Sequence, residues 1–221
     1  LAEAFAPNNA LILVGRNVAK LMSTTDKCKN SGAVQVEYVE QDFYLGVGYV
    51  LQAIEGTQID LIVDAASASS GKRDSEIELN EIADLVSADF SSRTKIIDHI
   101  LKNQEATPAV ILISTVLTLV KSPDRSVYAA LKALYETYLN KLRDKRPDFN
   151  LLVVYVGTVI DAKNESKKPR KLASAVVNAF DKNTRTLFYG LSGKLFLALF
   201  YIQPLIFYMD ALAQRKIRQW A

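Results

Sequence analysis

The sequence has very few of the residues that build disulfide frameworks or zinc sites. Its 221 residues include one cysteine, Cys28, and one histidine, His99. A single cysteine excludes an internal disulfide, and together these two residues leave no cluster for a zinc site. We also expect neither a secretory signal peptide nor an internal repeat. The sequence therefore favours a protein without a bound metal, in a reducing compartment such as the cytoplasm.

A strong net charge is lacking as well. The chain has 27 basic and 24 acidic residues, which gives a net charge of +3 at pH 7. The basic residues are dispersed, and no repeat combines them with aromatic residues, so the pattern typical of nucleic-acid binding is missing. With 49% hydrophobic and 23% charged residues, the chain is long enough to bury a full core. One α/β domain is the simplest interpretation.

Short apolar runs recur along the chain and suit buried parallel strands. They are ALILV at 10–14, IDLIVDAAS at 59–67, AVILIS at 109–114 and NLLVVYV at 150–156. VQVEYVEQDF, at 34–43, alternates as a strand does, and TLFYG, at 186–190, predicts a short final strand. Between these runs, residues 81–104 carry apolar side chains at helical spacing, which predicts one long helix with a single buried stripe.

The stretch from Thr115 to Lys132 carries the most suggestive chemistry. Tyr128 and Lys132 are four residues apart in YAALK, so a helix would place both on one face. A nearby ammonium favours phenolate and moves the pKa of a tyrosine toward the neutral range, where it can transfer protons. The hydroxyl of Thr115, thirteen residues earlier, could share a substrate oxygen with the phenol. The alternative is an exposed helix surface on which the pair arose by chance.

With ISTV followed by YAALK, the chain resembles the short-chain dehydrogenase/reductase family from residue 1 to about residue 190. The resemblance implies a Rossmann-like, doubly wound α/β sheet and an NAD(P)-dependent oxidoreductase. It makes Tyr128 the acid/base, Lys132 its partner and a cofactor contact, and Thr115 the counterpart of the family's catalytic serine. Ser114, one residue earlier, should point to the opposite side of the strand.

The resemblance also implies where a dinucleotide would bind. The family's first strand and glycine-rich turn, which hold the pyrophosphate, are expected before residue 10 and are absent here. We expect either that the natural protein begins further upstream or that it binds a dinucleotide differently, if at all. Arg16, after the second strand of the family, indicates the 2′-phosphate of NADP, with NAD the less favoured cofactor. Asp42 is at the adenine-contacting position. A solvated loop arginine and a plain strand-end aspartate are the alternatives.

Two further segments depart from the family pattern. Asp64, Ala65, Ala66 and Ser67 replace Asn-Asn-Ala-Gly beside the cofactor. A carboxylate at Asp64 would be unfavourable near a phosphate unless it is neutralised. Asp89 is at the position of an asparagine that orders a proton-relay water. It could hold Lys132 by charge while competing with Tyr128 for that cation, or it could be a helix-surface aspartate.

The segment VGTVID resembles the family's Pro-Gly-x-Val-x-Thr beside the nicotinamide. It makes Gly157 and Val159 cofactor contacts, although Val156 replaces the proline and Asp161 the threonine. The basic stretch that follows, 163–171, corresponds to a substrate lid in the family, and a charged surface loop is the alternative.

The C-terminal part, residues 191–221, differs in composition from residues 1–190, which we expect to form the Rossmann-like domain. Its segment 195–209 has fifteen residues without a charge, is interrupted by Pro204, and precedes a basic end that carries Trp220. This composition predicts a hydrophobic helical tail in peripheral contact with a membrane. The alternative is a helix pair packed on the domain or on a second subunit of a homo-oligomer.

Together these features predict an NADP(H)-preferring oxidoreductase that transfers hydride between the nicotinamide and a carbonyl or secondary alcohol. The apolar tail favours a hydrophobic or lipid-linked substrate and a position at the cytoplasmic face of a membrane. The alternative is a catalytically weak relative that acts as a nucleotide-sensing or protein-interaction module, which the altered residues at Asp64, Asp89 and Asp161 would suit.

Overall fold

The computed structural model describes residues 1–67, 74–119, 125–157 and 167–190. Within these ranges, parallel strands alternate with helices. The strands are β1 (Ala10–Gly15), β2 (Gln35–Glu40), β3 (Leu61–Asp64), β4 (Ala109–Thr115), β5 (Leu151–Val156) and β6 (Thr186–Tyr189). The helices are α1 (Ala2–Phe5), α2 (Val18–Asn30), α3 (Gly48–Ile54), α4 (Leu79–Val86), α5 (Ser92–Asn103), α6 (Ser126–Lys145) and α7 (Lys167–Asp181). The predicted hydrophobic tail, residues 191–221, lies outside the described residues.

The strands form two parallel sheets. β1 pairs with β2, and β3, β4, β5 and β6 pair in that order. All of these pairings are parallel. The carboxyl ends of strands within each sheet therefore lie at one edge, where loops collect functional side chains in doubly wound folds.

Two hydrophobic clusters cover opposite faces of the four-stranded sheet. On one face, Val110 and Leu112 of β4 pack with Ile97 of α5 and with Tyr135 and Leu139 of α6. On the other face, alternate strand residues pack against α7. They include Ile111, Leu152, Val154 and Val156, which contact Leu172 and Val176. The predicted doubly wound α/β fold, with helices on both sides of the sheet, is confirmed.

The predicted long helix at 81–104 is wrong in one respect. It is divided into α4 and α5 by a π-helical turn, Ser87–Ser91. A π turn adds a residue to the helical repeat and rotates the following side chains relative to the α-helical register. Asp89, Ser92 and Arg93 are accordingly buried at 2–3% exposure. The segment 81–104 therefore buries polar side chains next to its apolar ones.

Candidate active site

The helix α6 directs two of the predicted catalytic side chains toward the residues that follow β3. The ammonium of Lys132 donates a hydrogen bond to the backbone carbonyl of Ala66 at 2.6 Å. The side chain of Tyr128, one helical turn earlier, hydrogen bonds with Ser67. Lys132 is 2% exposed, so the alternative of an exposed helix surface is excluded for it. The pair is instead held at the carboxyl end of β3.

The acidity of Tyr128 differs from the sequence-based expectation. Burial raises the pKa of Tyr128 above its ordinary value, and the carboxylate of Asp89 adds to this increase. The hydrogen bond with Ser67 and the charges of Arg93 and Arg125 act in the opposite direction but do not outweigh these effects. The expected decrease in pKa is therefore not present, because burial of the phenol and the charge of Asp89 outweigh the groups that favour phenolate.

Lys132 is itself in an environment that weakens its charge. Burial lowers the pKa of Lys132, and the positive charge of Arg93 lowers it further. The carboxylates of Asp89 and Asp64 act against this decrease. Lys132 thus gives up its proton more readily than an ordinary lysine, as expected for an ammonium in a low-dielectric site.

Arg93, which the sequence analysis did not identify, connects the two unusual carboxylates. Its Nε donates to Oδ2 of Asp64 at 2.8 Å, and its Nη1 donates to Oδ1 of Asp89 at 2.9 Å. Its Nη2 also lies 2.8 Å from Oδ2 of Asp64, as an ion pair without hydrogen-bond alignment. The spacing of Asp89 and Arg93, four residues apart in a helical segment, was the available signal.

This arrangement decides two open questions from the sequence. Asp64 forms an ion pair with Arg93, which it shares with Asp89, so its negative charge is partly offset. Asp89 is 2% exposed, so it is not a helix-surface aspartate. It forms an ion pair with Arg93 at 2.9 Å, and its negative charge also acts on Lys132 through the electrostatic field. Ala65 lies between Asp64 and Ala66 in the same strand-end segment.

Thr115 and Gly157 lie on the adjacent strand ends. Thr115 pairs in register with Val156, the residue before Gly157. The hydroxyl of Thr115 accepts a hydrogen bond from the backbone N–H of Leu117 at 3.3 Å. The hydroxyl of Ser114 donates instead to Glu136 at 3.2 Å, on the face of the sheet that carries α6. Val159 lies outside the described residues, as do residues 163–166 of the predicted lid at 163–171. The rest of that stretch, 167–171, forms the start of α7.

Arg16 and Asp42 form a second group at the ends of β1 and β2. A guanidinium nitrogen of Arg16 lies 4.0 Å from a carboxylate oxygen of Asp42, and their side chains are 60% and 35% exposed. Asp42 also accepts from the backbone N–H of Tyr44 at 3.0 Å, which caps a short 3-10 turn. The structure thus places the two predicted adenosine-side residues together, with Arg16 open to an anionic partner.

The described ranges contain neither a membrane-spanning helix nor a cluster of metal-binding side chains. None of the helices there is long and apolar enough to cross a membrane. No group of three or more histidine, cysteine, aspartate or glutamate residues there could hold a metal ion.

The parallel strands, with helices on both faces of the larger sheet, define a doubly wound α/β domain. No protein-family model matches the sequence, and no curated protein is similar to it at the level of sequence. Solved structures nevertheless share its architecture. An alcohol dehydrogenase from the archaeon Thermococcus sibiricus, complexed with 5-hydroxy-NADP, is similar with a TM-score of 0.69 and 19% identity, over 84% of this chain and 87% of that one.

Two further solved structures have a similar fold. The bulky-bulky ketone specific alcohol dehydrogenase from Comamonas testosteroni gives a TM-score of 0.75 at 16% identity, over 93% of this chain and 87% of that one. A short-chain dehydrogenase from Sphingobium yanoikuyae in complex with NADPH gives 0.72 at 18% identity, over 93% and 88%. The chain therefore has the fold of the short-chain dehydrogenases/reductases.

Proposed function

We propose that this protein is an NADP(H)-dependent oxidoreductase that interconverts a carbonyl compound and the corresponding secondary alcohol. The observation that carries the proposal is the position of Tyr128 and Lys132. Both extend from one face of α6 to the residues after β3, at the carboxyl edge where doubly wound folds bind their ligands. Similar folds in an alcohol dehydrogenase bound to an NADP derivative and a short-chain dehydrogenase bound to NADPH support it.

The residues at this edge fit the chemistry of NADPH. Arg16 offers an exposed guanidinium for the 2′-phosphate, and Asp42 lies beside it for the adenine. On the nicotinamide side, Lys132, Gly157 and the segment 64–66 would hold the cofactor, together with Val159. The internal ion pair of Asp64 with Arg93 reduces the repulsion that its carboxylate would exert on a phosphate.

In the reduction, NADPH, held by the residues named above, would supply the hydride that the carbonyl carbon accepts. Tyr128 donates its phenolic proton to the carbonyl oxygen, so that the alcohol product gains one hydride and one proton. Thr115 hydrogen bonds to the same oxygen and orients it. The raised pKa of Tyr128 keeps the phenol protonated at neutral pH, which suits a proton donor. Lys132 places a positive charge that stabilises the phenolate left after the transfer.

The decisive experiment uses Tyr128→Phe in the full-length protein. NADPH consumption is followed with a panel of hydrophobic ketones and aldehydes, and NADPH binding is measured separately. The substitution should lower turnover by about 10²- to 10⁴-fold, the usual contribution of a general acid, with binding retained. Tyr138→Phe makes the same chemical change ten residues further along α6, where the hydroxyl bonds to Asp98 at 2.9 Å, and should retain turnover. Turnover by Tyr128→Phe near that of the wild type would refute the assignment.

A second candidate is a nucleotide-sensing or interaction module of low catalytic power. The observation that favours it is the raised pKa of Tyr128, together with an ammonium of Lys132 that bonds to Ala66. The same experiment separates the two candidates. NADPH binding without turnover by the wild-type protein, across the substrate panel, would support the second.

We further infer a hydrophobic or lipid-linked substrate and peripheral contact with the cytoplasmic face of a membrane. Both rest on the composition of residues 195–209 and on the basic segment that follows. An apolar segment of this length must be shielded from water, by a lipid leaflet, by the domain itself or by a second subunit. Cell fractionation should place the intact protein with membranes, and deletion from Leu195 onward should release it. A detergent-independent homo-oligomer that dissociates on deletion would instead identify the tail as a subunit interface.

A further inference from the structure

Arg93 joins two chain segments that are separate in sequence. It is 2% exposed and lies at the start of α5. Its guanidinium bonds to the carboxylate of Asp64 at the end of β3 and to both the carboxylate and the backbone carbonyl of Asp89 in the π-helical turn. Two nitrogens of its planar group, Nε and Nη1, donate to different residues at once, which is a geometry that arginine offers and lysine does not. The end of β3 is thereby fixed to the π-helical turn.

The same guanidinium also contacts the catalytic helix. Its central carbon lies 3.9 Å from the ring centroid of Tyr135, and Tyr135 is 1% exposed. A buried cation over an aromatic face is an attractive contact. Tyr135 is three residues after Lys132 on α6, so the two side chains lie on neighbouring positions of one helical face. Arg93 is therefore in contact with the helix one turn from Lys132.

The charges in this region indicate why the position of Lys132 depends on Arg93. Asp64 and Asp89 are carboxylates with little access to water, and each would attract a nearby cation strongly if it had no partner. Arg93 forms ion pairs with both of them. The ammonium of Lys132 is then directed to the carbonyl of Ala66, at the edge where substrate and cofactor would bind.

We propose that Arg93 is a positioning residue for the reduction, because its guanidinium holds the end of β3, the π-helical turn and α6 together and so fixes Lys132 on Ala66. The inference rests on the proposed function, for which Lys132 must be placed beside the phenol of Tyr128. It adds a residue that does not touch substrate or cofactor and acts through Asp64, Asp89 and Tyr135.

Two substitutions separate the geometry of Arg93 from its charge. Arg93→Lys keeps a cation but cannot bond to Asp64 and Asp89 simultaneously through a planar fork. Arg93→Met removes the cation and leaves both carboxylates to compete for Lys132. Arg146→Lys, at the exposed end of α6, is the matched control for replacing an arginine by a lysine. All variants are made in the full-length protein.

The first measurement is steady-state kinetics with NADPH, corrected for the folded fraction by circular dichroism. Arg93→Lys should lower kcat by about 10- to 100-fold, the loss expected when a catalytic group is displaced by about 1 Å. The KM for NADPH should change less than kcat, since the contacts of Arg16 are unchanged. A kcat of Arg93→Lys equal to that of Arg146→Lys would overturn the proposal, because the fork geometry would then have no role.

The second measurement does not need enzymatic activity. An NMR titration of protein labelled at lysine Cε, with the Lys132 signal assigned by Lys132→Met, reports the environment and pKa of this ammonium. Arg93→Met should raise the titration midpoint of Lys132, because a neighbouring cation is lost while the carboxylates remain. Arg93→Lys should restore the midpoint but leave the signal displaced from its wild-type position.

The two measurements distinguish the failure of this inference from that of the proposed function. A wild-type protein without turnover would remove the proposed function, and the titration would still test whether Arg93 holds Lys132. A signal and midpoint for Lys132 that are unchanged in both variants would reject the positioning role even in an active enzyme. Should Arg93→Met not fold, Arg93→Lys decides the question alone.

Discussion

The ammonium of Lys132 donates a hydrogen bond to the carbonyl of Ala66 at 2.6 Å, and this bond links α6 to the segment after β3. Because burial and Arg93 lower the pKa of Lys132, its charge should be lost below the ordinary lysine value of about 10.4. We therefore expect the wild-type pH–activity profile to fall on its alkaline side below that value.

Lys132→Met should remove this alkaline decrease and lower turnover by at least about 10²-fold, the lower end for groups in acid–base chemistry. Lys141→Met, which changes an exposed lysine of the same helix, should keep both turnover and profile. The measurement is kcat as a function of pH for the three proteins. An alkaline limb that persists in Lys132→Met would assign the titration to another group.

Thr115 offers a test of the orienting hydroxyl. Thr115→Val preserves the shape of the side chain and removes the hydroxyl, so kcat should fall by about 10- to 100-fold through poorer orientation of the substrate oxygen. Thr115→Ser should recover most of the activity. Ser114→Ala is the control, since that hydroxyl bonds to Glu136. Equal kcat values for Thr115→Val and Ser114→Ala would exclude the assigned role.

Arg16 tests cofactor preference. Arg16→Ala should weaken NADPH binding by about 1.5 to 3 kcal/mol, the range for hydrogen bonds to charged groups. The lower end is expected because the side chain is 60% exposed. Calorimetric titration with NADPH and NADH measures the effect, and NADH, which has no 2′-phosphate, serves as the internal control. A loss of equal size for both cofactors would contradict the assignment.

Asp74 provides a test of the catalytic helix itself. Its carboxylate accepts hydrogen bonds from the backbone N–H and hydroxyl of Ser126 and from the backbone N–H of Val127, at the start of α6. The hydrogen bond from the Ser126 side chain, followed by those from the backbone, lowers the pKa of Asp74. A carboxylate with a lowered folded-state pKa stabilises the fold above its unfolded pKa of about 3.9. That contribution is lost as the pH falls through the lower, folded value.

Asp74→Asn should therefore be less stable than the wild type at pH 7, and the difference should shrink below about pH 4. Urea denaturation at several pH values measures this change. Asp26→Asn, at an exposed position of α2, is the control and should show a smaller difference at pH 7. A destabilisation by Asp74→Asn that is independent of pH would show that charge at this cap is unimportant.

Much of the architecture could be predicted from the sequence because buried parallel strands have a simple signature. The runs at 109–114 and 150–156 are continuous and apolar, and they became β4 and β5, where all six residues of β5 are buried. The run ALILV has the same signature, yet most of β1 is only half-buried or exposed. Burial in a sheet depends on what covers each strand, and a local pattern does not contain that information.

The site was only partly predictable for a related reason. The spacing of Tyr128 and Lys132 follows from helical geometry, so the shared face could be predicted. The π-helical turn could not be, because an α-helical repeat with an inserted residue looks like ordinary amphipathic sequence around Asp89 and Arg93. The predicted direction of the Tyr128 pKa shift was also wrong, since it depends on how deeply the phenol is buried and on the charge of Asp89 beside it.

The strands of the two sheets differ in burial, which has a consequence for how a chain of residues 1–221 opens. β1 and β2 bury few side chains, whereas β4 and β5 lie between two clusters of buried residues. Cooperative units with fewer buried contacts open at lower free energy, so native-state hydrogen exchange should divide the chain accordingly. Backbone amides of β1, α2 and β2 should exchange as one early group. Those of β4 and β5 should exchange last, close to the limit of global unfolding. The segment from β1 to β2, which carries Arg16, would then unfold locally at lower free energy than the segment that carries Tyr128 and Lys132.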